Sequence, residues 1–150
     1  MRGSSYEGDI ALDDIAVRDG ECPPPDACDF EQSDLCGYTQ DITDDFDWTQ
    51  QSGASSTANS GPSSDHTYST SVGKYVYIET SSPRQPGDSA KLTSPTYPAS
   101  QGKCLQFWYH MFGTDIGELT VYTKTSFGLS PQWTLRDNQG DFWHVGRANL

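Results

Sequence analysis

An antiparallel β-sandwich is the fold class that this sequence of 150 residues predicts, and three observations predict it. Short runs in which apolar and polar residues alternate recur from about residue 75 to the end, and Gly, Pro, Asp and Asn turns separate them. No stretch carries apolar residues at helical spacing for even three turns, so the layers are sheets. Ile, Leu, Val and Phe number only 24 of 150 residues and the net charge is −12, a pairing that leans toward disorder. Four Trp and eight Tyr oppose that reading, because rings of this size have little use in a solvated tail. The length is that of one domain, and its core should be rich in aromatic side chains.

Taken in order, residues 8–20 (Gly-Asp-Ile-Ala-Leu-Asp-Asp-Ile-Ala-Val-Arg-Asp-Gly) read as a strand whose apolar parity changes. Ile10 and Leu12 share one face, whereas Ile15 and Val17 fall on the other. A strand of period two changes parity only through a bulge or kink, and Asp13 and Asp14 stand at the change. Cys22-Pro23-Pro24-Pro25-Asp26-Ala27-Cys28 follows as a stiff, extended junction. From Asp29 to about Val72 the chain is polar and Ser-rich, which reads as mostly surface loop. Strands are then expected at Tyr75–Glu79, Ala90–Ser94, Cys104–Phe112, Glu118–Thr123, Gln132–Arg136 and Trp143–Asn149. In the third of these, Leu105, Phe107, Tyr109 and Met111 alternate with Gln106, Trp108, His110 and Phe112.

Charge and motifs exclude several functions. A net charge of −12 repels phosphate backbones and anionic headgroups, and nine scattered basic residues form no stripe, so nucleic acid and membrane surfaces are poor partners. No apolar run approaches the roughly 20 residues that span a bilayer, and Met1-Arg2-Gly3-Ser4-Ser5 lacks a signal peptide's apolar stretch. Cys22, Cys28, Cys36 and Cys104 form no Cys-x-x-Cys pair and have no His at zinc-ligand spacing, which favours two disulfides in an oxidising compartment. The acidic run Asp41, Asp44, Asp45 and Asp47 has Phe46 and Ser52 where a calcium loop needs Gly and Glu, and reads as a solvated loop with Trp48 beside it as a core anchor. His66, His110 and His144 are far apart, no Gly-x-Ser-x-Gly elbow is present, and no Asn-x-Ser/Thr acceptor occurs. The chain therefore reads as no enzyme.

Cys28-Asp29-Phe30-Glu31, Leu35-Cys36-Gly37-Tyr38, Asp47-Trp48, Gly61-Pro62 with Asp65-His66-Thr67, Gly73-Lys74-Tyr75, Ala90-Lys91-Leu92-Thr93-Ser94-Pro95 and the run from Cys104 to Gly113 occur in an order that resembles a MAM domain. The family takes its name from meprin, the A5 antigen (neuropilin) and receptor tyrosine phosphatase mu. The resemblance covers residues 28–150 and implies a jelly-roll-like β-sandwich that serves adhesion or oligomerisation and not catalysis. It implies pairing of Cys28 with Cys36, and of Cys104 with Cys22 where residues 1–22 dock. It also implies a structural calcium or sodium ion near Asp29, Glu31 and Asp65, with Asp14 approaching from the docked segment; structural or solvated carboxylates are the competing reading. Residues 1–22 resemble the end of a preceding repeat, 23–27 a Pro-rich linker, and 28–150 a MAM domain lacking its last strands. Residues 1–22 then dock either as a permuted strand of their own chain or as a swapped strand of a neighbour. The resulting expectation is an extracellular protein or an ectodomain of a membrane protein, with a tandem-repeat architecture, whose partner is a cell-surface protein or a second copy. A carbohydrate-binding module is the alternative, with Trp108 and Trp133 as its stacking residues.

Overall fold

A computed structural model describes residues 8–19, 28–80, 82–98 and 102–150. Within them nine strands run β1 (Gly8–Asp19), β2 (Thr39–Gln40), β3 (Thr49–Ser52), β4 (Lys74–Ile78), β5 (Leu92–Thr93), β6 (Lys103–Gly113), β7 (Glu118–Thr125), β8 (Gly128–Arg136) and β9 (His144–Asn149). Every strand pair is antiparallel. The main sheet has the order β3-β4-β1-β6-β9, and the pairs β2-β5 and β7-β8 form two smaller sheets.

β1 occupies the centre of the main sheet. It pairs with β6 from Gly8↔Gly113 to Asp19↔Lys103 and with β4 through Ile10↔Ile78, Ala11↔Tyr77 and Leu12↔Val76. Its register with β6 shifts between Asp13 and Ala16, the place where the apolar parity of the sequence changes. Asp14 takes φ +47° there, a left-handed conformation that Asp tolerates better than most residues. The bulge thus turns Ile15 back to the side that Ile10 and Leu12 already face, and all three enter one core.

That core lies between the main sheet and the two small ones. Ile10, Leu12 and Ile15 of β1, Val76 and Ile78 of β4, and Leu105, Phe107, Tyr109 and Met111 of β6 form its floor. Leu119, Val121, Trp133 and Leu135 of the β7-β8 hairpin close it from above, where the ring of Trp133 meets Phe107 and Tyr109 at 5.2 and 5.4 Å between centroids. Phe30, Phe46 and Trp48 fill one end, and the Trp48 indole N–H donates to the Ala90 carbonyl at 3.3 Å.

The opposite face of the sheet is also covered, which the alternating pattern did not reveal. Segment 53–73 lies across it. The Tyr75 hydroxyl donates to the Gly53 carbonyl at 2.8 Å, Ser60 Oγ to Asp9 Oδ2 at 3.0 Å, and the Trp143 indole to the Ser64 carbonyl at 3.0 Å. The region expected to be mostly surface loop therefore contains β2 and β3 and buries Phe46, Trp48, Ser60 and Asp65. Both strands are short and polar, Thr-Gln and Thr-Gln-Gln-Ser, so no apolar alternation marks them. β8 begins at Gly128 rather than Gln132, with Pro131 inside it, as an outer strand permits.

Cys28 and Cys36 are joined, with Cα atoms 5.7 Å apart. The bond closes a nine-residue loop around Phe30 and is worth about 2.6 kcal/mol by loop entropy. A Cys28→Ser, Cys36→Ser double variant is expected to lose about that much stability in denaturant titration. Cys104 is likewise disulfide-bonded, and Cys22, its expected partner, lies outside the described residues.

Candidate functional site

Two regions stand apart from ordinary core packing: a buried polar layer beneath segment 53–73, and an apolar overhang on the β7-β8 hairpin.

The polar layer is organised by the β1 bulge. Asp13 is fully buried; its carboxylate accepts from the amides of His66 at 2.9 Å and Thr67 at 3.4 Å and from that of Asp14 at 2.9 Å. Burial pushes its carboxyl up to about 8, with the Asp14 charge adding and the three amides opposing. Asp14 faces the same loop: Oδ2 lies 2.6 Å from His66 Nδ1, and Oδ1 accepts from the Thr67 hydroxyl at 2.9 Å. The His66 ring stacks on Trp108, centroids 3.7 Å apart. The paired aspartates thus clamp residues 66–67 onto β1 and β6.

Asp65 shapes the rest of that loop. Buried, it accepts from the amides of Tyr68 at 2.5 Å and Thr70 at 2.9 Å. Gly73 passes so close that a Cβ there would stand 2.2 Å from Asp65 Cγ, so this position requires Gly. Beside it, Glu31 Oε1 accepts from the Lys74 amide at 2.7 Å, while Lys74 Nζ donates to the Glu31 carbonyl at 2.8 Å. Asp29 accepts from the Glu31 amide at 3.1 Å.

The structure therefore brings Asp14 to the loop that carries Asp65, but it engages all four sequence-selected carboxylates with protein donors. Among the described residues no three His, Cys, Asp or Glu side chains are grouped to hold a metal ion. The acidic loop is similarly engaged: Asp41 accepts from Thr43, Asp44 from the Lys91 amide and Asp45 from Ser89.

Further along the same face His110 is buried, 3.3 Å from Asp141 and edge-on to Trp143. Burial lowers its imidazole to about 4, against the opposing pull of Asp141. Asp9 is also fully buried and its carboxyl raised, chiefly by burial and secondarily by Glu79, with Ser55, Ser60 and Thr80 opposing. Asp9, Asp13 and His110 escaped the sequence reading because alternation assigns them to a solvent face; only the parity break at Asp13-Asp14 marked the place.

The rings expected to stack on sugars serve internal contacts. Trp108 carries His66 on one face, and Trp133 packs on Phe107 and Tyr109.

The hairpin presents the opposite character. At its base Leu119↔Leu135 and Val121↔Trp133 face the core; past a register shift the pairs become Tyr122↔Pro131 and Lys124↔Leu129. Tyr122 and Leu129 are about half exposed, and Phe127 in the turn is fully exposed. Tyr122 follows Val121 directly on β7, so Tyr122 and Leu129 share the side of the hairpin opposite the core-facing pairs, with Lys124 between them.

The fold and the site define a disulfide-bonded, all-β module with a projecting, partly apolar hairpin. The profile described as "MAM domain, meprin/A5/mu" matches residues 28–150, and the chain belongs to that family. It is 40% identical over 139 residues to MAM domain-containing glycosylphosphatidylinositol anchor protein 2 of Mus musculus, and 43% identical over 131 residues to MAM domain-containing glycosylphosphatidylinositol anchor protein 1 of Homo sapiens. Each match covers 82% of this chain and 14% of the relative. MAM domain-containing protein 2 of Homo sapiens is 39% identical over 146 residues, covering 91% of this chain and 21% of that protein. The chain thus spans about a seventh to a fifth of the length of these relatives. Among the described residues no helix is long and apolar enough to cross a membrane.

Proposed function

We propose that this chain is a non-catalytic protein-interaction module, acting in cell adhesion or homo-oligomerisation within a tandem-repeat ectodomain. Residues 1–22 belong in this reading to the end of a preceding repeat, and its partner is a cell-surface protein or a second copy. The relatives support the cell-surface setting, since two of them are named as glycosylphosphatidylinositol anchor proteins. The observation that carries the reading is the hairpin: Phe127, Leu129 and Tyr122 stand exposed on it, on a protein of net charge −12. Aromatic side chains so placed, rimmed by charge, are the usual anchors of protein interfaces.

The test is binding of the full chain, immobilised on beads, to itself and to a panel of cell-surface ectodomains. At least one of these interactions is expected, and Phe127→Asp with Leu129→Asp is expected to weaken it about tenfold or more without lowering the melting temperature. Binding by no member of the panel, or binding indifferent to the double variant, would overturn the reading.

A further inference from the structure

We infer that Thr96 is the acceptor for an O-linked sugar of the mucin type, an N-acetylhexosamine carried on its side-chain oxygen. This goes beyond the hairpin-borne interaction and does not depend on it. Residues 89–103 hold five Ser or Thr and two Pro and no Asp or Glu, in a chain with 21 acidic residues. Hydroxyls interspersed with prolines are the composition of O-glycosylated segments. The lack of carboxylates suits the same chemistry, because the sugar donor carries a diphosphate that neighbouring negative charge repels.

The structure selects Thr96 among these hydroxyls. Beyond β5, residues 94–98 belong to no strand, and Pro95, Thr96, Tyr97 and Pro98 are all exposed. Each proline fixes its own φ at about −65° and pushes the residue before it toward extended backbone, so Ser94, Pro95, Tyr97 and Pro98 are constrained and Thr96 lies between them. Contacts on either side of Thr96 hold the strip to the module. The Pro95 ring lies 3.4 Å from where a Cβ on Gly37 would stand, and the Tyr97 hydroxyl is hydrogen-bonded to that of Tyr38. Thr96 is exposed between these anchors, and its hydroxyl has no hydrogen-bond partner among the described residues. The neighbouring hydroxyls are engaged: Ser94 donates to the Pro95 carbonyl at 2.9 Å, Ser89 to Asp45 Oδ2 at 3.1 Å, and Thr93 lies within β5. Ser63 also follows a proline, but that Pro62 is fully buried and Asp65 stands two residues on.

In the transfer, the Thr96 oxygen bonds to the anomeric carbon of a nucleotide-activated N-acetylhexosamine as the bond from that carbon to the phosphate oxygen breaks. The nucleoside diphosphate leaves with the electron pair and takes up the hydroxyl proton. Donor and transferase are those of the secretory pathway, through which a cell-surface ectodomain passes. An extended, exposed strip offers such an enzyme its acceptor without any unfolding of the sheets.

The full chain, secreted from cultured human cells, provides the test. Trypsin releases residues 92–103 as one peptide, and mass spectrometry with electron-transfer fragmentation places any added mass on a residue. The expected result is a peptide heavier by one N-acetylhexosamine, alone or extended by further sugars, with the added mass on Thr96. Thr96→Ala is expected to abolish that mass while leaving the melting temperature unchanged, and Pro95→Ala with Pro98→Ala to lower the occupied fraction several-fold. A peptide without sugar, a sugar carried by Thr93, Ser94 or Ser100 instead, or an occupancy indifferent to the two proline changes overturns the inference. Each of these outcomes leaves the hairpin reading standing, since that rests on binding by Phe127 and Leu129.

Discussion

A chain lacking residues 1–19 is expected to show no cooperative unfolding transition. β1 is the central strand of the main sheet, and its loss strips both β4 and β6 of their partner along one edge. Ile10, Leu12 and Ile15 all leave the core with it, and burying side chains of this size is worth about 1.5–3 kcal/mol each. Exposed amides and carbonyls of two formerly interior strands add to the loss. The total reaches the 5–15 kcal/mol that hold an ordinary domain together. Thermal melting followed by near-ultraviolet circular dichroism reads this directly, because the Trp and Tyr rings of the core lose their fixed surroundings. A truncated chain that still melts in a single sharp step would show that residues 28–150 close their sheet without β1.

The second large effect falls on Asp13. Replacing it with Ala leaves the amides of His66, Thr67 and Asp14 without their acceptor beneath a covering segment, at a cost of about 3 kcal/mol. Asp13→Asn retains one oxygen acceptor and is expected to cost about 1 kcal/mol. The Asn variant also removes a pH dependence whose sign is fixed by burial. With its folded carboxyl raised from 3.8 to about 8, the folded state holds a proton that the unfolded chain releases, so stability is full at low pH and is lost as pH rises toward 8. His110 acts in the other sense: lowered from 6.5 to about 4, it contributes stability above 6.5 that is lost as pH falls toward 4. The two slopes oppose each other below pH 6.5, and above it Asp13 is unopposed, with the raised carboxyl of Asp9 acting in the same sense. There the parent protein is expected to lose up to about 1.4 kcal/mol per pH unit, and Asp13→Asn to show a flatter profile. Denaturant titrations at several pH values check this; parallel profiles for the two proteins would contradict it.

The legible parts of this protein are those in which one physical signal dominates. In β6, Leu105, Phe107, Tyr109 and Met111 alternate cleanly and all four line the core. In β1 the jump from Ile10 and Leu12 to Ile15 required a bulge, and the register shifts there. Trp48 was readable as an anchor because a large ring in a polar stretch has few other uses, and it is buried. What sequence did not disclose was burial by covering. Asp9, Asp13 and His110 alternate as solvent-facing residues should, and they are interior because segment 53–73 lies across the two aspartates and Trp143 and Asp141 pack against His110. β2 and β3 were missed for a related reason, since Thr49-Gln50-Gln51-Ser52 owes its strand to pairing with Tyr75, Val76 and Tyr77 rather than to its own pattern. The site followed the same division. Asp14, Asp29, Glu31 and Asp65 were singled out as oxygen donors, but which partner each carboxylate takes is set by amides that approach from elsewhere in the chain.

The placement of residues 8–19 at the centre of the sheet underlies both the core and the buried polar layer, and amide hydrogen exchange on the full chain tests it most directly. Amides in a central strand open only with the whole domain, whereas those of a loosely attached segment exchange at nearly the free rate. The amides of Ile10, Ala11 and Leu12 are expected to be as protected, as a group, as those of Phe107–Met111 in β6, and to lose protection together with them in denaturant. Protection confined to β4, β6 and β9, with residues 8–19 exchanging freely, would contradict the fold described.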